Sequence, residues 1–205
     1  MFIDTHCHID SYERHSGESL SSLLERLPHD ADPKVTLPEA FIHVACDPKD
    51  FEYARELSEK YPNVYAAYGI HPEYVLTETA EDEARMMEFL KHPKCVACGE
   101  FGLDYHYDLE HRAEQVKLFE RHLQLGIESG KPLVLHLREA DEDALAVLRN
   151  ADLQAKNVMS TALREHRNSQ GNSWNSGLVK IPAFLWALRE LSPSRTPRMC
   201  GTPPL

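Results

Sequence analysis

Short apolar runs that end on a histidine or a glutamate recur along this sequence, and they constrain its fold more than any other feature. The three runs cover residues 2–8, 95–100 and 131–136. Runs of this length are typical of buried strands. A carboxylate at a strand end, such as Glu100, is costly to bury alone and needs a proton, a cation or a metal ion beside it. Gly99 and Gly102 flank Glu100, and glycines there allow a sharp turn and close approach of a ligand.

Strand and helix signals alternate along the first 150 residues. Strands are predicted at residues 2–8, 40–46, 64–70, 95–100 and 132–137. Helices are predicted at residues 18–27, 49–60, 80–91, 110–129 and 141–149. Alternation of this kind requires parallel strands joined by right-handed crossovers. We therefore predict an α/β fold, an incomplete β/α (TIM-type) barrel of about five parallel strands with alternating helices. A doubly wound sheet is the alternative.

Composition limits the classes of partner. The chain of 205 residues has a formal net charge of −11, which argues against a broad electrostatic grip on nucleic acid. It leaves open a local site where metal ions neutralise phosphates. The five cysteines are scattered and no signal peptide is visible, so we expect free thiols and a cytoplasmic location. No apolar run is long enough to span a membrane, and no obligate protein partner is inferred.

The sequence changes character after Asn150. Residues 151–205 carry 7 basic and 3 acidic residues, in contrast to the acidic first part, and show no alternation of strands and helices. Residues 179–191 have the spacing of a short helix, and residues 192–205 are rich in Pro, Ser and Arg. We expect residues 1–150 to form the N-terminal part of the barrel. Residues 151–205 are expected to be a divergent, partly helical or disordered tail of a truncated or frame-shifted product.

Histidines at strand ends indicate a metal site. His6 and His8 are two residues apart on a predicted strand, so their side chains point to the same face. With Glu100 and His136 at equivalent strand ends, they form a set of nitrogen and oxygen ligands for a divalent ion such as Zn, Mn or Mg. Four such ligands can hold two metal ions if Glu100, the predicted catalytic residue, bridges them. Half-buried histidines bonded to loops are the structural alternative.

Several polar residues follow the same strand ends and are candidates for substrate binding. His71 follows the third strand and is a candidate for contact with a substrate phosphate, although it is equally consistent with a loop histidine. Asp104, Tyr105 and His106 lie just past Glu100 and are candidates to line the site, although Asp104 could equally cap or orient a ligand. Arg138 lies two residues after His136 and suits phosphate binding.

Four motifs together resemble the TatD family of metal-dependent deoxyribonucleases, which belong to the amidohydrolase superfamily. They are Asp4-Thr5-His6-Cys7-His8, Gly69-Ile70-His71-Pro72, Gly99-Glu100-Phe101-Gly102-Leu103-Asp104-Tyr105 and Lys131 to Arg138. The resemblance covers about residues 1–150. It implies a β/α barrel, divalent metal ions on His6, His8, Glu100 and His136 with Glu100 shared between two ions, and hydrolysis of phosphodiester bonds in DNA.

The resemblance ends before the C-terminus. Members of the family continue with a strand that ends in His-Cys-Phe and later with a metal-binding Asp, and residues 151–205 contain neither motif. His166 lies in a polar context, and Asp152 follows a helix. Two alternatives to a TatD-like deoxyribonuclease therefore remain. One is a non-catalytic, degenerate fragment of such an enzyme, and the other is a related metal-dependent hydrolase with a different ester or amide substrate.

Overall fold

A computed structural model of the chain describes residues 3–30, 38–151, 158–162 and 177–178. The strands are β1 (Ile3–Cys7), β2 (Ala40–Ala45), β3 (Val64–Tyr68), β4 (Cys95–Asp104), β5 (Leu133–Arg138), β6 (Val158–Ala162) and β7 (Gly177–Leu178). The helices are α1 (Ile9–Ser16), α2 (Leu20–Asp30), α3 (Phe51–Lys60), α4 (Ala80–Phe89), α5 (Arg112–Ser129) and α6 (Asp141–Asn150). Short 3-10 helices at Pro48–Asp50 and Pro72–Tyr74 follow β2 and β3.

The strands lie side by side in chain order, and this order decides between the two fold classes. Pairing is parallel from β1 through β5, as the sequence predicts. A doubly wound sheet would reverse its strand order part-way along the sheet, whereas a barrel adds each strand beside the previous one. The five strands and their helices form a curled half-barrel, which confirms the prediction of an incomplete TIM-type barrel.

A sixth strand lies where the sequence analysis expected none. β6 pairs in parallel with β5 over five consecutive residues, and β7 then pairs antiparallel with β6. The alternation of strands and helices therefore does not stop at Asn150. The sequence analysis missed this strand, Val158-Met159-Ser160-Thr161-Ala162, because it is only five residues long and includes the polar Ser160 and Thr161. No turn signal marks its ends. The predicted helix at residues 179–191 lies outside the described residues, as do Asp152 and His166.

The predicted helices are confirmed, with shifts at their ends and one omission. Thr79 and Asp82 form a reciprocal capping box at the start of α4, and Gly130 caps α5 in the left-handed conformation. α1 was missed because only its first residue, Ile9, is buried, so its sequence carries little helical periodicity. α2 extends to Asp30, three residues beyond the predicted end of this helix at residue 27.

Alternation along the strands creates two apolar clusters and positions the polar strand ends. Strand residues of one face, such as Phe101, pack against α3, α4, α5 and α6 in the larger cluster, to which α3 contributes Phe51 and α5 contributes Phe119. Residues of the other face, with Ile42, Val44 and Val134, form a smaller cluster. Because side chains alternate along a strand, His136 lies on the same face as Val134. The helix-free face therefore ends in polar side chains.

Two glycines in β4 allow the backbone to approach β5 very closely. A Cβ atom on Gly99 would lie 2.2 Å from the Val134 carbonyl oxygen, and one on Gly102 would lie 2.0 Å from the His136 carbonyl oxygen. Both residues have positive φ angles, of 145° and 153°. The register of the β4–β5 ladder shifts between Gly99 and Phe101, so Glu100 sits at an irregularity in the sheet. None of the helices in the described residues is long and apolar enough to cross a membrane.

We expect Gly102→Ala to lower the free energy of unfolding by about 3 kcal/mol or more, because the new methyl group collides with the backbone of β5. Gly130→Ala is the matched control, since Gly130 also has a positive φ, of 67°, but no atom lies within 4 Å of its added Cβ. Its expected cost is about 1–2 kcal/mol of backbone strain. Urea denaturation measures both values, and equal losses would contradict the close approach of β4 to β5.

Candidate active site

Two histidines at the end of β1 direct their Nε2 atoms at each other. His6 lies within β1, whereas His8 follows the strand and occupies the N-cap position of α1. The two Nε2 atoms are 3.2 Å apart. His8 Nδ1 is 3.1 Å from the Val44 carbonyl oxygen and must donate to it, so the Nε2 of a neutral His8 carries a lone pair.

Glu100 of β4 lies between these histidines and His136 of β5. Its Oε2 atom is 3.1 Å from His6 Nε2 and 3.9 Å from His8 Nε2, and its Oε1 atom is 2.8 Å from His136 Nδ1. The Glu100 side chain is only 7% exposed. The four residues predicted as metal ligands are therefore brought together around one buried carboxylate.

His136 is held on its other side by Asp104, the last residue of β4. The His136 Nε2 atom is 2.9 Å from Asp104 Oδ2. Asp104 Oδ1 accepts from the backbone N–H groups of His106 and Tyr107, at 3.0 and 3.2 Å. One carboxylate thus fixes a site histidine and the loop after β4 together. Sequence analysis considered Asp104 as a residue that lines the site or that caps or orients a ligand, and gave no sign of this double contact.

His71 joins the side of the site where His136 and Asp104 lie. Its ring meets that of His136 edge to face, with ring centroids 4.2 Å apart. The His71 Nδ1 atom accepts from the backbone N–H of Glu73, so a neutral His71 carries its proton on Nε2. His71, Asp104 and His136 each offer a ligand atom within 4.8 Å of one another, and so do His6, His8 and Glu100.

The electrostatics of the site favour the charged forms of Glu100 and His136 despite burial, and the neutral form of His71. Burial raises the pKa of Glu100, but hydrogen bonds with His136 and His6 outweigh it and hold that pKa well below its usual value. Burial lowers the pKa of His136, but hydrogen bonds with Glu100 and Asp104 outweigh it and raise that pKa. Burial and the nearby His136 lower the pKa of His71. The pKa shifts follow from this arrangement, in which the His136 imidazole lies between the carboxylates of Glu100 and Asp104.

The first group of ligand atoms fits a divalent ion by its chemistry. His6 Nε2, His8 Nε2 and Glu100 Oε2 converge. When both histidines are neutral, His6 Nε2 can supply one proton, whereas His8 Nε2 and Glu100 Oε2 are both acceptors that face it. A cation shared by all three atoms relieves this conflict, and imidazole with carboxylate suits Zn or Mn.

A comparison with known protein families matches most of this chain. The family model described as TatD related DNase matches residues 3–166. The chain belongs to this family. The match extends past Asn150 and includes β6, which the sequence analysis placed in a divergent tail.

Relatives of this TatD-family chain include proteins that are much longer. It is 39% identical over 153 residues to the human 3'-5' RNA nuclease TATDN2, a match that covers 72% of this chain and 20% of that protein. It is 34% identical over 155 residues to YabD of Bacillus subtilis, described as an uncharacterised metal-dependent hydrolase, covering 76% and 58% of the two chains. The chain thus spans little more than half the length of YabD.

A solved structure shares the fold of this TatD-family chain. The crystal structure of YjjV, a TatD homologue from Escherichia coli K12, matches with a TM-score of 0.59 and 27% identity. The match covers 72% of this chain and 55% of that one.

The remaining predicted substrate-binding residues lie in and beside the loop after β4. His106 Nδ1 is 2.9 Å from Glu139 Oε1, and Arg138 stacks over the ring of Tyr107 with its guanidinium carbon 4.8 Å from the ring centroid. The Tyr105 hydroxyl instead donates to Asp143 of α6. Tyr105 is therefore tied to a helix, whereas His106 and Arg138 converge on Tyr107. Their roles toward a substrate stay predictions.

Another buried histidine, His43 of β2, supports the start of α1 and was not singled out from the sequence. Its Nδ1 atom accepts from the Ile9 N–H, at 3.1 Å, one residue after His8. Burial lowers the pKa of His43 to about 4, so the ring is neutral near pH 7. The sequence signal for His43 is its place as a polar residue within an otherwise apolar strand, Phe41-Ile42-His43-Val44.

A third group of possible ligands, Glu78, Glu83 and His122, lies away from the site on α4, α5 and the loop before α4. Protein partners already surround it. His122 Nε2 is 2.6 Å from Glu78 Oε1, and Arg121 contacts both carboxylate oxygens of Glu83. The positive guanidinium of Arg121 disfavours a second cation there.

We expect His43→Leu to lower the free energy of unfolding by about 2 kcal/mol, because it leaves the buried N–H of Ile9 without an acceptor. His43→Asn is the matched control, since its side-chain oxygen can take the place of Nδ1 and should recover part of the loss. Chemical denaturation checks both. Equal stability of the leucine variant and the parent would show that this hydrogen bond does not hold α1.

Proposed function

We propose that this chain is a metal-dependent hydrolase that cleaves phosphodiester bonds of DNA. Its membership of a family described as TatD related DNase supports this, as does the nuclease activity named for the human relative. The observation that carries the proposal is the position of Glu100, whose Oε2 atom faces the two histidines of the β1 end and whose Oε1 atom faces His136 of β5. A carboxylate in this position suits a bridge between two cations.

In this proposal His6, His8 and Glu100 hold one divalent ion, and His136 with Glu100 holds another. Asp104 and His71 lie beside this second ion site, each with a polar atom within 4.8 Å of one on His136. Bound divalent ions of the Mg, Mn or Zn type would lower the pKa of water and neutralise charge on the phosphate. Glu100 is the catalytic residue because it supplies the negative charge that both groups share.

The other side chains then bind and orient the substrate. Asp104 keeps His136 in one orientation through the bond to Nε2. His71 accepts at Nδ1 from Glu73, which leaves its Nε2–H as a donor for a phosphate oxygen. Arg138 lies two residues after His136 on β5 and offers a permanent positive charge to the same substrate.

Charge and cysteine chemistry fit this function at the level of the whole chain. With a net charge of −11, the protein must gain affinity for a polyanion from local contacts near the site. Cys7, Cys46, Cys95 and Cys98 are free, which supports a reducing compartment and our proposal of a cytoplasmic location.

Residues 1–150 are proposed as the barrel part and 151–205 as a divergent region that nevertheless contributes β6.

We expect His8→Ala to weaken binding of Mn²⁺ or Zn²⁺ at least tenfold, because the variant loses a ligand atom that faces His6 and Glu100. His15→Ala is the control, since His15 lies near the end of α1, which His8 caps, and its ring bonds to Ser11 rather than to the metal ligands. Isothermal titration calorimetry gives affinity and stoichiometry, and two ions per chain are expected. Identical affinities of the two variants would refute the assignment of His8.

We expect Glu100→Gln to lower kcat/KM for a single-stranded DNA oligonucleotide at least about 100-fold, or ~2.7 kcal/mol, because an amide supplies no bridging negative charge. Glu88→Gln on the exposed side of α4 is the matched control. Reactions contain Mg²⁺, Mn²⁺ or Zn²⁺, and an RNA of the same sequence runs in parallel.

The same assay separates the alternatives. Cleavage of RNA but not DNA would keep the chemistry and change the substrate. Cleavage of a simple phosphodiester alone would favour a different ester substrate. Metal binding with no cleavage of any substrate would support a non-catalytic fragment.

A further inference from the structure

We propose that Tyr107, backed by His106 and Arg138, forms a subsite on which a base of a nucleic-acid strand stacks beside the metal ligands. This inference rests on the proposed function and specifies its substrate as single-stranded nucleic acid with accessible bases.

The Tyr107 side chain is unusually exposed for an aromatic residue that is so firmly positioned. It is 78% exposed, in the loop between β4 and α5. Leu109 in the same loop and Leu76 in the loop between β3 and α4 are each 62% exposed. In a β/α barrel these loops surround the catalytic end of the strands. Apolar surface is thus presented to solvent on the face where the site lies.

Two neighbouring side chains fix the ring of Tyr107. The His106 ring meets it edge to face at an interplanar angle of 84°, with centroids 4.8 Å apart. The Arg138 guanidinium carbon is also 4.8 Å from its centroid. His106 is in turn held by Glu139. A ring held in this way, with most of its surface open, provides a preorganised stacking surface.

Asp104 connects this surface to the metal ligands through a single side chain. Its Oδ2 atom pairs with His136 Nε2, while its Oδ1 atom accepts from the backbone N–H groups of His106 and Tyr107. A nucleotide whose phosphate reaches His136 is therefore close to an aromatic ring at a fixed position. Arg138 can contact both the phosphate and the stacked base.

Stacking also answers a difficulty posed by the charge of the chain. Because the protein is acidic, broad electrostatic attraction cannot supply affinity for a polyanion. A base stacked on an aromatic side chain contributes a gain in affinity of about 5- to 150-fold and tolerates any sequence. In a duplex the bases are already stacked on each other, so the subsite favours single strands.

The test compares two oligomers with the same phosphates, a thymidine hexamer and a hexamer of abasic residues. For each, kcat/KM is measured with Mn²⁺, and the dissociation constant is measured by fluorescence anisotropy. We expect the parent to prefer the thymidine hexamer at least fivefold in both measurements. Tyr107→Leu should bring this ratio close to one, and Tyr107→Phe should preserve it because the ring remains. Ile127→Ala, near the opposite end of α5, is the control for loss of exposed apolar surface.

The outcomes for the subsite and for the proposed function are separable. If the parent cleaves neither hexamer but its binding preference depends on Tyr107, the hydrolase fails and the subsite stands. If the parent cleaves both and Tyr107→Leu keeps the preference, the subsite is overturned and the hydrolase stands. Absence of any preference in the parent also overturns the subsite.

Discussion

The contact between the buried carboxylate of Glu100 and the imidazoles around it determines the arrangement of the site. Two oxygen atoms face nitrogen atoms from β1 and β5, so the carboxylate links strands that are not adjacent in the sheet. Burial alone would neutralise a glutamic acid, yet its pKa is held low by His136 and His6. Glu100 therefore keeps its negative charge and can bind a cation, which makes the site suitable for metal-dependent chemistry.

The backbone of β4 makes that contact possible. Glu100 can reach the imidazoles because Gly99 and Gly102 let β4 approach β5 more closely than any residue with a Cβ atom would allow. The cost of those glycines in strand stability is offset by the apolar packing around them, since every residue of β4 is buried. Close packing of the sheet and convergence of the site are thus consequences of the same short sequence, Gly99 to Gly102.

Much of this arrangement could be predicted from the sequence because each signal was local. The apolar runs predicted the five strands, and the helical spacings predicted the helices between them. The polar residues at the strand ends pointed to His6, His8, Glu100 and His136. Contacts between distant segments left no such signal. The acceptor role of His43 toward Ile9, and the double role of Asp104, depend on side chains that meet only in the folded chain. β6 was missed because its stability comes from pairing with β5 rather than from its own apolar residues.

The opposite face of β4 shows how the site is supported from behind. Phe101 follows Glu100 and packs among the helices, with its ring centroid 5.8 Å from that of His122. The His122 side chain bonds to Glu78, at the end of the segment that begins with His71, and both side chains are almost fully buried. α5 and the loop after β3 are thereby fixed to the back of the strand that carries Glu100. Through Phe101 and Glu78, the residue after Glu100 and the loop that begins with His71 both contact the same side chain of α5, His122.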